Sequence, residues 1–407
     1  MKRMAALLLL LLIPALLSVA AGETRIMQVS DIHYLSPSLF EGSGDYFPSV
    51  LARGDGKAAQ YSGELLDALL AEARHQQPDL LLITGDLTFN GEKASHQELS
   101  AALRGLQEEG IPVLVIPGNH DINNANAIRY GNGAVAGTDN VTPGEFQALW
   151  QGMLADDMTG PGASGLVRLG EDLWLILGDY SVYENTVATY GMATAAHLSW
   201  LEEVTAAVKE AGVTLISCSH QNLLPHTAFA ASSMRVVYGD KVAALLADAG
   251  CRVNLSGHMH MQNILPGKVT DIAVGSWSVY PFTYGMVTVS DEGDIRYEAR
   301  SLCEEHLAEE IRADAEELFA KATTKGMQEE LEALDVPEEE RSEMADYALE
   351  FNTCYFIGTL SRHSELLTDP ARSLWARYTG SSTFALYIET LLNEPIYEGR
   401  EWSSTEK

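Results

Sequence analysis

Five apolar, strand-like segments of the sequence each end in side chains that bind metal ions or transfer protons. These side chains are Asp31, His33, Asp86, Asn119, His120, Asp121, His220, His258 and His260. The carboxyl ends of parallel strands meet at one edge of an open sheet, where ligands bind. We therefore expect the five segments to bring their polar ends to one crevice.

A metal centre explains this group better than separate structural roles do. A single Asp or His after a strand is usually a capping or turn residue, but five of the eleven histidines fall at such ends. Mixed nitrogen and oxygen ligands suit first-row divalent ions such as manganese, iron or zinc. Seven ligands are too many for one tetrahedral ion, and they fit two ions that share a carboxylate. Two such ions hold a phosphoryl group and activate water.

The rest of the chain shows how these ends are positioned. Strand-like apolar runs cover 25–30, 80–84, 112–116, 173–177, 213–218 and 252–256. Between them, apolar residues recur at helical spacing in 65–70, 99–106, 198–208 and 242–246. Buried strands that alternate with amphipathic helices predict an α/β fold in which helices cover both faces of a sheet.

The pattern changes towards the C-terminus. Runs at 272–274, 285–289 and 295–299 predict an antiparallel end to the sheet, with a turn at 291–293. From about residue 301, strand patterns disappear and acidic side chains accumulate on helical spacing. We therefore predict one domain over 23–300 and an acidic, all-α domain over 301–407. Two long polar stretches, 34–60 and 122–165, are predicted to be loops over the site.

Composition limits the class of partner. The 407 residues include 26 Lys and Arg against 57 Asp and Glu, which gives a formal net charge of −31. Such a surface repels long polyanions, so we expect no binding of long nucleic acid. A hydrophobic share of 46% excludes a disordered chain. The expected partner is a small substrate, and the oligomeric state is left open.

Four cysteines are too few for a disulfide scaffold. Cys218 lies near the end of one predicted strand and Cys251 precedes the start of its parallel neighbour. That arrangement separates their Cα atoms by more than the roughly 5.5 Å that a disulfide spans. Cys303 and Cys354 both fall in the predicted helical domain and could pair in an oxidising compartment.

Residues 1–22 have the pattern of a secretory signal peptide. Lys2 and Arg3 precede an apolar run from Ala5 to Leu17, and small residues follow it. The run is shorter than the roughly 20 apolar residues that span a bilayer. We expect the mature protein to be secreted or otherwise extracytoplasmic, with an uncleaved membrane anchor as the alternative.

The order of the motifs resembles that of the calcineurin-like metallophosphoesterases. The motifs are Asp31-Ile32-His33, Gly85-Asp86, Gly118-Asn119-His120-Asp121, a single His220 and Gly257-His258-Met259-His260. The resemblance spans roughly residues 25–290 and implies a two-sheet sandwich with a dinuclear centre. It implies one metal held by Asp31, His33, Asp86 and His260, and another held by Asp86, Asn119, His220 and His258. It further implies that His120 acts at the leaving oxygen of the phosphate and that Asp121 orients His120.

Within this family, the sequences at 85–88 and 90–92 resemble those of secreted bacterial class III cyclic-nucleotide phosphodiesterases. The resemblance implies hydrolysis of cyclic nucleotides or other small phosphodiesters. The alternatives are a phosphomonoesterase or nucleotidase, a nuclease, and a non-catalytic metal-binding surface module. Two further points are open: His226 competes with His220 as the lone histidine ligand, and the aromatic residues at 277–284 could stack on a base or pack in the core.

Overall fold

The computed structural model describes residues 22–52, 54–131, 133–184, 188–228, 234–334 and 336–405. The predicted signal peptide therefore lies outside the described residues, except for Gly22. The strands of the described chain are β1 (Thr24–Val29), β2 (Leu80–Thr84), β3 (Val113–Ile116), β4 (Ile128–Tyr130), β5 (Val135–Gly137), β6 (Gly165–Leu169), β7 (Leu173–Gly178), β8 (Gly191–Met192), β9 (Thr214–Ser219), β10 (Val236–Val237), β11 (Val253–Ser256), β12 (Asn263–Leu265), β13 (Thr270–Ala273), β14 (Thr283–Val289), β15 (Ile295–Ser301) and β16 (Glu401–Ser403).

The α-helices follow the same order along the chain. They are α1 (Tyr46–Leu51), α2 (Ser62–Gln76), α3 (Lys93–Glu108), α4 (Pro143–Leu149), α5 (Ala195–Ala211), α6 (Gly239–Asp248), α7 (Glu309–Thr323), α8 (Met327–Ala333), α9 (Glu338–Phe356), α10 (Pro370–Ala376) and α11 (Thr383–Leu392). Local sequence fixes several of their ends. Helix α4, for example, begins after Thr142, whose hydroxyl accepts from the Glu145 amide in a capping box.

Two six-stranded sheets form the centre of the molecule. The first has the order β16-β15-β14-β1-β2-β3, and the second has the order β12-β13-β11-β9-β7-β6. Strands β1, β2 and β3 are parallel, as are β7, β9, β11 and β13. The other strands of each sheet pair antiparallel at its edges.

Alternating side chains explain why the two sheets stack. In β2, Leu80 and Leu82 belong to the core between the sheets, whereas Leu81 and Ile83 pack on the opposite face with helices α2 and α3. In the second sheet, Leu215 packs outwards with helices α5 and α6. Each sheet thus buries one face against the other sheet and one face against helices, as period-two strands require.

The predicted α/β class is confirmed, and so is the two-sheet sandwich that the family resemblance implied. The apolar periodicity alone predicted helices on both faces of one sheet. Because the six predicted strands divide between the two large sheets, each sheet is covered by helices on its outer face only. The run at 272–274 falls in β13, which pairs parallel with β11 and not with the antiparallel β14 and β15. The predicted loop at 34–60 contains α1, and the one at 122–165 contains β4, β5 and α4.

The C-terminal region is helical, as predicted, and is tied to the sheets at both ends. Helices α8 to α11 surround a core of their own that includes Phe351 and Trp375. Helix α7 instead packs on the first sheet through Ala315. The last strand, β16, returns to pair with β15, which the sequence analysis did not predict.

Two further expectations concern disulfide bonds and membrane spans. All four cysteines are free thiols, so neither pairing discussed above is formed in the structure. Strands β9 and β11 do run parallel, as that argument assumed. Among the described residues, no helix is long and apolar enough to span a membrane.

Candidate metal centre

The predicted side chains meet at an edge that the two sheets share. The first sheet brings residues that follow β1, β2 and β3, and the second brings residues that follow β9 and β11. These residues are Asp31, His33, Asp86, Asn119, His120, His220, His258 and His260. The strand pattern alone predicted the edge of one open sheet, whereas the two-sheet sandwich that the resemblance implied is the arrangement observed.

Four of these side chains form a first group around Asp31. The ligand atoms of Asp31, His33, Asp86 and His260 all lie within 4.8 Å of one another. Asp31 Oδ1 lies 3.3 Å from His260 Nε2 and 3.8 Å from His33 Nε2. The Nε2 atoms of His33 and His260 are 3.0 Å apart. This group can surround one cation.

A second group lies on the other side of Asp86. The ligand atoms of Asp86, His220 and His258 lie within 4.8 Å of one another. His220 Nε2 is 3.3 Å from Asp86 Oδ1, 3.2 Å from Asn119 Oδ1 and 3.2 Å from His258 Nδ1. Because Asp86 Oδ2 faces His33 at 3.6 Å, its two oxygens face different groups. Asp86 is therefore placed to bridge two cations.

A buried atom without a partner shows that these residues fit cations. Asp31 Oδ1, which faces His33 and His260, is buried and makes no hydrogen bond. Leaving a buried polar atom unpaired costs about 1–3 kcal/mol, so native structures rarely do it. Bound divalent ions would satisfy such atoms, and carboxylate, amide and imidazole ligands suit manganese, iron or zinc.

Burial and neighbouring charges set the pKa values of the candidate ligands. Burial would raise the pKa of Asp86, but the charges of His220 and His120 hold it well below its usual range. Burial disfavours a charged His220, yet the Asp86 carboxylate raises its pKa to about 9. Burial and the charge of His220 lower the pKa of His258 to about 3. An imidazole binds a metal ion in its neutral form, so a cation held here would take the place of the proton on His220 Nε2.

Hydrogen bonds outside the two groups fix the orientation of their members. His220 Nδ1 donates to the Thr84 carbonyl over 2.9 Å, which leaves its Nε2 lone pair facing the centre. The His258 amide donates to Asp31 Oδ2, and the His120 amide donates to Asp86 Oδ1, each over 2.9 Å. The carboxylates are thus held in place by backbone as well as by their neighbours.

The backbone at this centre is strained. Five of the seven predicted ligands have φ between 44° and 70°, in the left-handed region that non-glycine residues rarely adopt: Asp31, His33, Asp86, His258 and His260. Such conformations cost of order 1–3 kcal/mol each and cluster at functional sites. Their concentration at one place supports a functional role for the group.

His120 lies beside the two groups without belonging to either. Its Nδ1 donates to the Phe89 carbonyl over 2.8 Å and is 3.0 Å from Asn90 Oδ1. Its Nε2 is 3.9 Å from Asp86 Oδ2, and its side chain is 29% exposed. The ring is therefore fixed at one nitrogen, and the other nitrogen is available to a substrate.

The resemblance implied that Asp121 orients His120, and the hydrogen bonds of the Asp121 carboxylate go to other groups. This carboxylate accepts hydrogen bonds from the amides of Leu87, Thr88 and Gly118. Asp121 therefore joins the loop after β2 to the loop after β3. The ring of His120 is oriented instead by Phe89 and Asn90. The sequence analysis missed Asn90 as a contact of His120, although it noted the 90–92 motif.

Lys57 is a second residue that the sequence analysis missed. It lines the cavity that contains Asp86 and His120, and its side chain is only 8% exposed. Its Nζ pairs with Asp55 Oδ2 over 2.6 Å. Lys57 lies in the predicted loop at 34–60, but no spacing or motif singles it out.

His226, the alternative to His220 as the lone histidine ligand, belongs to neither ligand group. Its Nε2 lies 3.4 Å from Asp271 Oδ2.

The fold and this centre define the class of protein. Residues 24–262 match the sequence model of the calcineurin-like phosphoesterases, so the chain belongs to that family. The family resemblance and the prediction of a phosphoester hydrolase are thereby confirmed.

Relatives and solved structures agree with this assignment. A probable cyclic nucleotide phosphodiesterase from Psychrobacter arcticus is 27% identical over 244 residues, which are 59% of this chain and 75% of the relative. A protein of the same description from Vesicomyosocius okutanii is 42% identical over 59 residues, 14% of this chain and 24% of the relative. A crystal structure of a dimetal phosphatase from Danio rerio has a TM-score of 0.51 and 13% identity, and the similarity covers 69% of this chain and 96% of that one. This last similarity shows the fold.

Proposed function

We propose that the protein hydrolyses small phosphodiesters, including cyclic nucleotides, at a centre of two divalent metal ions. The observation that carries the proposal is the position of Asp86, whose oxygens face two separate groups of imidazoles. Two ions held there would supply a nucleophilic water near neutral pH and neutralise phosphate charge. The first would be held by Asp31, His33, Asp86 and His260, and the second by Asp86, Asn119, His220 and His258.

The position of His120 suits an ester that releases an alkoxide, as small phosphodiesters do. His120 is fixed through Nδ1, so its Nε2 can protonate the leaving oxygen or stabilise the charge on it. An alkoxide is a poor leaving group, and such help matters most for an ester that releases one. The descriptions of the two relatives as probable cyclic nucleotide phosphodiesterases support the same substrate class.

The charge of the whole chain favours a small substrate. A net charge of −31 repels an extended polyanion wherever it leaves the metal centre. A small phosphodiester can bind within the cavity at the centre, where the buried Lys57 is a neighbouring cation. The nuclease alternative is therefore disfavoured.

A comparison of four substrates tests the proposal. We expect hydrolysis of bis-p-nitrophenyl phosphate and of a cyclic nucleotide, slower hydrolysis of p-nitrophenyl phosphate, and little cleavage of single-stranded DNA. Chelation should abolish the activity and manganese should restore it. A clear preference for the monoester would favour the phosphatase alternative, and rapid DNA cleavage would contradict the charge argument.

We also propose that the mature chain acts outside the cytoplasm after cleavage near residue 22. The basic, apolar and small-residue pattern of 1–22 supports this proposal. N-terminal sequencing of protein recovered from the cell exterior should find a chain that begins near residue 23. Recovery of the uncleaved chain in the membrane fraction would favour the anchored alternative.

A further inference from the structure

A cavity of about 370 Å³ opens onto the metal centre, and its walls differ in character. One part is polar and consists of candidate ligands and their neighbours, including Asp86, Asn119 and His120. The remaining part is apolar and contains Val279, Met259, Phe319, Ala322 and Phe356. The cavity is of the size found for small-molecule sites in proteins.

The C-terminal helical region supplies much of the apolar part. Phe319 and Ala322 lie on α7, and Phe356 is the last residue of α9. The rings of Phe319 and Phe356 pack edge to face, with their centroids 5.9 Å apart. A region with a core of its own thus places two aromatic rings beside the metal centre.

These helices are fixed directly to the segments that form the polar wall. The amide of Gln262, two residues after His260, donates to the Phe356 carbonyl over 2.8 Å. On the other side, Gly56 precedes Lys57 and packs against α7. A Cβ atom at Gly56 would lie 3.3 Å from Ala322 Cβ. The distance between the apolar and polar walls is therefore set by direct contacts.

We infer that the apolar wall is a subsite for an aromatic or other apolar substituent of the substrate's phosphate, an inference that rests on the proposed phosphodiesterase function. A phosphate held at the metal centre leaves its organic group in the same cavity, next to Phe319 and Phe356. Aromatic rings bind other planar rings edge to face or in offset stacks, and burying them is favourable. A nucleobase or a phenyl group meets both conditions.

Three of the four aromatic residues at 277–284 are buried, because Trp277, Phe282 and Tyr284 are 0%, 2% and 1% exposed and belong to the core beneath the first sheet's helices. The half-buried Tyr280 packs on Phe319 with ring centroids 6.1 Å apart and does not line the cavity. The half-buried Phe356 reaches the cavity from a helix that is about 80 residues further along the chain. Recognition of the organic group thus depends on the helical region.

A comparison of two phosphonates tests the subsite, because they differ only in the organic group. We expect the metal-loaded full chain to bind phenylphosphonate about tenfold more tightly than methylphosphonate in calorimetry, the gain expected from partial burial of a ring. Phe356→Ala should remove most of this difference and leave methylphosphonate binding unchanged. Thr323→Trp, on the cavity wall, should weaken phenylphosphonate binding selectively by filling the space.

Phe384→Ala is the matched control, because Phe384 is a half-buried aromatic residue of the same region that packs on Trp375 away from the cavity. It should keep the wild-type preference. Equal affinities for both phosphonates in the wild type, or equal losses for both in the Phe356 variant, would overturn the inference. Failure of the proposed function is distinct, because it appears as the wild type's inability to hydrolyse bis-p-nitrophenyl phosphate.

Discussion

At the scale of single residues, His220 and His120 each present one ring nitrogen to the centre because the other nitrogen is already hydrogen-bonded. The Thr84 carbonyl occupies His220 Nδ1, so only Nε2 faces the centre. The Phe89 carbonyl occupies His120 Nδ1 in the same way. Tautomer and orientation are thus set by the backbone, and this is the arrangement that working imidazoles need.

Replacing His120 separates catalysis from metal binding. We expect His120→Ala to lower the rate on a cyclic nucleotide by about 10²–10⁴, the usual cost of a lost acid-base group, and to lower the rate on bis-p-nitrophenyl phosphate less, because its nitrophenolate leaving group needs little help. Metal content should stay unchanged, because His120 belongs to neither ligand group. Steady-state rates and elemental analysis of the same preparation measure both quantities. A variant that lost its metals along with its activity would contradict this role.

Glu92 should make the folding stability depend on pH, and it is not one of the candidate metal ligands. It is fully buried, and burial raises its pKa to about 7, against about 4.3 in an unfolded chain. As pH rises from 4 to 7, the unfolded state ionises Glu92 before the folded state does, so stability falls by about 3 kcal/mol. Glu92→Gln cannot ionise and avoids that loss.

The measurement for Glu92 is urea unfolding of wild type and Glu92→Gln between pH 4.5 and 8. We expect the free energy of unfolding of the variant, relative to the wild type, to increase up to about pH 7 and then to level off. A difference that is constant over this range would show that Glu92 does not carry the raised pKa.

At the scale of elements, the ligands sit in turns that only glycine can complete. A Cβ atom at Gly118 would collide with the Asp86 carboxylate, and one at Gly257 would collide with Ser30 Oγ. The Gly257 position also lies 2.6 Å from Asp31 Oδ2, measured to the added Cβ. The absence of a side chain at these glycines lets the strand ends approach closely, and this brings the ligands together.

Gly257→Ala tests this convergence. We expect the added methyl group to displace Asp31, to cost about 1–3 kcal/mol of stability as overpacking does, and to lower metal affinity at least about tenfold. Gly105→Ala is the control, because Gly105 lies in α3 with nothing within 4 Å of an added Cβ. It should raise stability by about 0.5–1 kcal/mol and leave metal binding unchanged. Equal effects of the two substitutions would be the contrary outcome.

The sequence predicts the strands better than their assembly. The run at 80–84 forms β2 with all five residues buried, and the polar residues after it lie at the site. The division into two sheets was not predictable from the strands, because a buried parallel strand has the same apolar pattern in either sheet. Strand β16 has only three residues, and the positions of Lys57 and Phe356 depend on distant packing, so no local pattern indicates them.

At the scale of the whole molecule, the helical region is part of the enzyme's architecture. Ala315 on α7 packs into the core of the first sheet, β16 extends that sheet, and the end of α9 holds the loop after His260. We predicted separate domains over 23–300 and 301–407. In the structure, the helical region is joined to the sheets at these three places.

A truncation measures this dependence. We expect a chain ending at residue 300 to melt about 10 °C or more below the full chain, since it loses several kcal/mol of packing at these three places. A chain ending at residue 405 keeps β16 and should melt with the full chain. Equal melting temperatures for all three chains would show that 23–300 folds independently.

The most direct test of the central claim is the metal content of the full chain after manganese loading, compared with that of Asp86→Ala. We expect two ions per chain in the wild type, because the two ligand groups share the Asp86 carboxylate. Loss of that bridging carboxylate should lower the metal content of both sites together and abolish hydrolysis of bis-p-nitrophenyl phosphate. An Asp86→Ala variant that retained two ions and full activity would contradict the dinuclear centre.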